Sequence, residues 1–295
     1  MSFPLSFSPL LKASTTQRHL STIQADLSRV TEAAVTGLEV REPSDAPGRW
    51  HGILDLQAGL DDQPRYQANA TSATSLLATV DTALGEATDA MDRAREIAVQ
   101  MSSETYNDED RALVAAEVDA LRAQLITIGN TAMGDRYVFA GLAYDLPPFN
   151  DVTGVYGGSN TTPEAIVGRD QRVQTGLDGS TIFPDAIAAL EALSTALRQG
   201  PGSATATQAL LDPLEAAQDL FIEGRAQAGF AFNDAEDALQ IAQNLELTFQ
   251  TALDGEIAAD PIATYTRLAE LKGSYEAALQ VSARSGGTSL FELLR

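Results

Sequence analysis

Nine apolar positions between Ala73 and Met101 govern what this chain can fold into. Ala73, Leu77, Val80, Leu84, Ala87, Met91, Ala94, Ala98 and Met101 alternate steps of four and three residues without a miss. Such stepping keeps the side chains on one face of an α-helix, whereas a strand would need a period of two. The run predicts a coiled-coil-like helix of roughly 45 Å at 1.5 Å rise per residue. After SSETYNDED, whose Ser, Asn and Asp suit a helix start, Val114, Val118, Leu121, Leu125, Ile128 and Ala132 repeat the stepping. Two helices folded back as an antiparallel hairpin are the expected result.

The hairpin ends at GDRYVFAG, residues 134–141, where two glycines bracket the β-formers Tyr137, Val138 and Phe139. Residues 142–183 then turn rich in Gly and Pro, and AIVGR, RVQTGL and STIF read as short strands. This stretch is expected to form a small β-rich insert that can be cut out with little loss of helix. Helical sequence returns at Pro184, breaks at GPGS, and runs from about 204 to 252 with Leu214, Phe221, Ala235 and Ala242 on its seam. Glu246 falls on a seam position as a local defect, and Pro64 is expected to kink or restart its helix.

Both chain ends carry stripes of their own. Leu20, Ile23, Leu27, Val30 and Ala34 step by three and four before Gly37 and the loop REPSDAPGRW; Leu268, Leu271, Tyr275 and Ala278 follow ALDGEIAADP. The chain closes on SGGTSLFELLR, with Leu290, Phe291 and Leu294 as an apolar tip. Two short helices alone bury too little surface to be stable in water. These stripes need partners, either each other within an assembly or neighbouring subunits.

Composition removes whole classes of function. The formal net charge is −22, from 41 acidic and 19 basic residues. That field repels nucleic-acid phosphates and anionic lipid, and no basic cluster offsets it. No segment reaches the roughly 18 apolar residues of a membrane span. There is no cysteine, and His19 and His51 are the two histidines, so disulfides, thiolate chemistry and a Cys or His metal site are not expected. Nucleophile-elbow, P-loop and dinucleotide-binding patterns are absent; GVYGGSN reads as a turn and NDED, residues 107–110, as a helix cap. We therefore expect no catalytic residues, no cofactor and no metal. The N-terminus MSFPLSFSPLLKAS lacks a basic start and a long apolar core, so a cleaved secretory signal is not expected.

Four stretches carry a resemblance to a known family: the N-terminal seam with Thr36-Gly37-Leu38 and Pro43-Ser44-Asp45-Ala46-Pro47-Gly48; Ala94-Arg95-Glu96-Ile97-Ala98-Val99-Gln100; Arg136-Tyr137-Val138-Phe139-Ala140-Gly141; and Gly224-Arg225-Ala226-Gln227-Ala228-Gly229 with the closing Ser289–Leu294. In order and spacing the chain resembles the bacterial flagellin superfamily, most closely its hook–filament junction branch. Ala46 and Asp135 depart from the branch's usual residues. The resemblance implies a mainly α fold with a small β-rich insert, an elongated rod of long antiparallel helices built by the N- and C-terminal regions, and an outer β domain from the middle. It implies a division into 1–42 and 265–295 as assembly helices, 43–141 and 184–264 as the rod, and 142–183 as the outer domain. Leu20, Ile23, Leu27, Val30, Leu268, Leu271, Tyr275, Leu290, Phe291 and Leu294 would form the assembly interface, and Arg136, Tyr137, Phe139 and Gly141 the hairpin exit.

The function implied is structural and not enzymatic: joining hook to filament in the extracellular flagellum, after export without a cleaved signal. Partners would be further copies in a ring-like layer, a neighbouring hook-associated protein, flagellin, the flagellar export apparatus and an export chaperone at the C-terminal region. The alternatives are a filament-forming flagellin and a non-flagellar type III secreted helical binding protein.

Overall fold

In the computed structural model, residues 9–293 are described, with side chains from 14 to 283. The helices are α1 (Pro9–Thr36), α2 (Trp50–Met101), α3 (Asp108–Gly129), α4 (Gly179–Ile182), α5 (Pro184–Leu197), α6 (Ser203–Gln208), α7 (Leu211–Ile257) and α8 (Pro261–Leu293). Two short antiparallel pairs complete the elements: β1 (Ala132–Met133) with β2 (Arg136–Tyr137), and β3 (Glu164–Ile166) with β4 (Arg172–Gln174). The fold is mainly α. The chain divides into two compact units, residues 1–59 with 247–295 (unit 1) and residues 60–246 (unit 2).

Unit 2 is organised by the seam of α2. All nine positions from Ala73 to Met101 are buried. Across from them lie Ala115, Val118 and Leu125 of α3, Leu190 and Leu193 of α5, and Leu214, Ala217 and Phe221 of α7, most of them in one continuous apolar cluster with the seam. Asn107 caps α3, its side-chain oxygen accepting from the Asp110 amide at 2.7 Å, and Asp108, Glu109 and Asp110 face the positive helix end. Arg111 lies buried, donating to the Met101 and Ser103 carbonyls at 2.6 Å each and so closing the carbonyl end of α2 against α3.

Two expectations change here. Helix α2 is unbroken at Pro64, because Tyr66, Ala70 and Ala73 on the next turns are buried and packing outweighs the missing amide. Glu246 is not a defect left bare: it accepts a hydrogen bond from the Gln67 side chain at 2.6 Å.

The insert keeps one hairpin of three-residue strands, and STIF, expected as a strand, falls instead in the short helix α4, whose start Asp178 caps by accepting from the Ser180 amide; turns and bends make up most of the rest. It is also less separable than its composition implies. Phe149 and Leu177 from the insert belong to the same buried cluster as the seam of α2. Phe183 joins Phe139, Phe149 and Phe221 through ring contacts of 4.9, 5.3 and 5.3 Å, tying hairpin exit, insert, α5 and α7 together. Tilted and edge-on geometries like these add to the area buried, and a loop segment rich in glycine gives no periodic signal of such packing.

Unit 1 contains α1 packed along α8. Their junction is built from the backbone. Gly37 takes φ +73°, which a side chain disfavours, and its carbonyl accepts from the Ala259 amide at 2.9 Å. The Glu39 and Val40 amides donate to Ile257 at 2.7 and 3.3 Å, and Val40 is buried. Asp260 caps α8 by accepting from the Ile262 amide at 2.8 Å, with Pro261 at the first helical position. The end of α1 is thus fixed beside the start of α8, so the two helices run antiparallel. Asp45 closes the loop, accepting from the Arg41 and Glu42 amides at 3.1 Å each, while Arg41 pairs with Glu32 of α1.

Those amides hold the Asp45 carboxyl below its ordinary value, and the Arg41 hydrogen bond does the same for Glu32. A depressed carboxylate contributes its support above its unfolded pKa and loses it as pH falls through its folded pKa. Hydrogen exchange of the Glu39 and Val40 amides, corrected for the intrinsic pH dependence, should quicken as pH drops below the ordinary carboxylate range. In Asp45→Asn it should already be fast at neutral pH; equal protection in both proteins would contradict this closure. For unit 2, Phe149→Ala should cost about 3–5 kcal/mol in urea unfolding followed by helix signal. A cost near zero would mean that the insert folds apart from the helices.

Candidate assembly surface

The two terminal helices meet along the stripes read from the sequence, but cover them incompletely. Leu20, Ile23, Leu27 and Val30 on α1, and Leu268 and Tyr275 on α8, are half-buried; Leu271 is buried at 8% exposure. Leu290, Phe291 and Leu294 lie outside the residues whose side chains are described. A pair of helices shields about one face of each member, and the edges of both stripes stay in contact with water. Beyond the stripes, Val35 at 81% exposure, Ile262 at 80%, Tyr265 and Val281 present more apolar surface on the same unit. None of these four was singled out in the sequence, because each sits off the a/d period. A surface of this kind binds by shape and apolar burial, and has no chemistry of its own.

The hairpin-exit residues lie in unit 2 and have structural work. Arg136 stacks over the Tyr144 ring at 4.7 Å, and the Tyr137 amide donates to the Tyr144 carbonyl at 3.0 Å. Phe139 is fully buried. Its carbonyl accepts from the Tyr156 hydroxyl at 3.1 Å, and the same hydroxyl lies 2.9 Å from the Ser159 carbonyl. Burial first, and the Asp178 charge second, push the Tyr156 phenol up to about 12, so it stays protonated as the donor. Gly141 takes φ +62°, and a Cβ there would sit 2.1 Å from the Ser159 carbonyl oxygen. The exit motif therefore turns the chain out of α3 and into the insert. Tyr156 and Asn130, whose side chain brackets Phe149 by accepting from its amide at 2.8 Å and donating to its carbonyl at 2.9 Å, complete the turn without a periodic signal in the sequence.

Among the described residues no group of three or more His, Cys, Asp or Glu side chains is arranged to hold a metal ion, and no helix is long and apolar enough to cross a membrane. An open groove of about 590 Å³ is lined chiefly by alanines of α5 and its neighbours, with Glu191 as its one charged residue.

Residues 7–143 match the family described as the bacterial flagellin N-terminal helical region. The chain is 31% identical over 214 residues to flagellar hook-associated protein 3 of Escherichia coli, covering 72% of this chain and 66% of that protein. It is 30% identical over 161 residues to the protein of the same name from Salmonella typhimurium, covering 54% and 51%. The chain thus spans between about half and two thirds of the length of these curated relatives. The crystal structure of the flagellar junction protein FlgL from Legionella pneumophila superposes with a TM-score of 0.57 at 17% identity, over 70% of this chain and 99% of that one. At that identity the likeness speaks for the fold alone. The chain belongs to the bacterial flagellin superfamily.

Proposed function

We propose that this protein is a structural subunit of the bacterial flagellum that joins hook to filament through packing of its terminal helices. The observation that carries the reading is the incomplete cover of the α1 and α8 stripes: Leu20, Ile23, Leu27, Val30, Leu268 and Tyr275 remain half-exposed although the helices already pack on each other. Copies arranged in a ring-like layer would bury these edges, together with Leu290, Phe291 and Leu294 at the end of the chain. Layers above and below would belong to flagellin and to a neighbouring hook-associated protein. The names of the relatives favour the junction over the filament itself. The site of action is then extracellular, reached through the flagellar export apparatus without a cleaved signal. An export chaperone would hold the C-terminal stripe before assembly, since residues 265–295 carry half of the surface that must not stick early.

Leu27→Asp tests this. The carboxylate tolerates water in the free chain, where Leu27 is half-exposed, but is stranded once copies pack, at about 3–5 kcal/mol per interface. Repeated around a ring, that penalty blocks incorporation. The variant should melt close to the parent, while cells carrying it alone make hooks, release filament subunits into the medium and fail to swim. Ordinary filaments and normal swimming would contradict the proposal.

A further inference from the structure

The insert is not held in the same way along its length. Its Phe149 and Leu177 sit in the large apolar cluster with the α2 seam, whereas the β3–β4 hairpin belongs to a second, smaller cluster. Val167 and Val173, 2% and 4% exposed, rest there on Ala70 and Ala73 of α2 and on Ala235 and Ala238 of α7. An alanine presents a single methyl group. Each valine therefore gains less apolar contact from this seat than the leucines and phenylalanines of the large cluster gain from one another. The Asn69 side chain on α2 adds a polar tie, donating to the Ile166 carbonyl at 2.7 Å.

The hairpin is closed by bonds of its own. The Val167 amide donates to the Gln171 carbonyl at 3.0 Å across the turn, and Arg172 pairs with Glu164 at 3.6 Å. At the base, the Thr175 amide and hydroxyl both donate to the Pro163 carbonyl, at 2.9 and 3.2 Å. Past that base the chain enters the large core at once. Gly176 packs so closely that a Cβ would lie 2.8 Å from the Val138 carbonyl oxygen, and Leu177 is buried with the seam. The hairpin thus has a firm base and a shallow seat. Two strands of this length are marginal alone in water, and a segment with few buried contacts opens at a free energy well below that of global unfolding.

We propose that the β3–β4 hairpin is a strap that lifts off α2 and α7 from its base at Pro163 and Thr175, while the helices and the rest of the insert stay folded. Closed, it keeps the alanine seat out of water. Open, it uncovers apolar helix surface without unfolding the core. The strap does not depend on how copies of the chain assemble.

Hydrogen exchange, followed amide by amide in increasing urea below the unfolding transition, tests this on the full chain. Off its seat so short a hairpin frays, so the Val167 amide reports the opening. It should exchange roughly a hundredfold faster than the Leu84 and Met91 amides of the seam, with little dependence on urea. The Val138 and Phe149 amides should follow the seam. Leu125→Ala weakens the core equally whether the strap is open or closed. It should quicken seam exchange roughly thirtyfold or more and leave Val167 as in the parent. Asn69→Ala removes the tie made only when the strap is closed, and should quicken Val167 several-fold. The strap is overturned if Val167 shares the rate and urea dependence of the seam, or quickens with it in Leu125→Ala. It is equally overturned if Val138 and Phe149 open together with Val167, if Asn69→Ala changes nothing, or if Val167 exchanges as in an unfolded peptide, which would mean that no closed state exists.

Discussion

The α2 seam is the constraint on which unit 2 depends. Nine residues from Ala73 to Met101 are buried in succession, and four of them are alanine, which lets neighbouring helices approach closely. Once that stripe must leave water, α3, α5 and α7 have one place to put their own apolar faces. The hairpin exit follows from the same demand. A chain leaving α3 can reach the insert and return to α5 only by turning where Gly141 allows φ +62°, with Phe139 and Phe149 delivered to the common core. Arg111 and the Asn107 cap secure the opposite turn of the hairpin, where helix ends would otherwise expose unpaired amides and carbonyls.

The helices were legible because their signal is periodic and long. Every seam position named on α2 is buried, and the breaks at Gly37, GPGS and the residues before Pro261 fall where helices end. Three things were not legible, each for a physical reason. Proline is read as a helix breaker from local sterics, yet Pro64 lies within α2 because buried neighbours such as Tyr66 outweigh the lost amide. The insert's composition signals turns, but the aromatic contacts of Phe149 depend on tertiary geometry that no spacing encodes. The junction between Gly37, Ile257 and Ala259 is made of backbone groups about 220 residues apart, which side-chain patterns cannot report. Val35, Ile262 and Tyr265 escaped for the converse reason, since their apolar surface lies off the repeat.

In the proposed function, stability and assembly use different surfaces of one chain. The core of unit 2 is dominated by fully buried apolar side chains, whose truncation costs stability, whereas the stripes of α1 and α8 are half-buried in the single chain. Half-satisfied apolar surface is a liability in solution and an asset at an interface. Membership of the flagellin superfamily fits this arrangement, in which the family-matching N-terminal region supplies α1 and the α2–α3 hairpin together.

Hydrogen exchange measured on the free chain and on the same chain within isolated flagella tests the central claim most directly. If the terminal helices form the joint, amides of α1 and α8 gain protection on assembly far beyond that given by their mutual packing, and the α2 seam, already buried, changes little. Protection gained only within residues 60–246, with α1 and α8 exchanging as they do in the free chain, would contradict it.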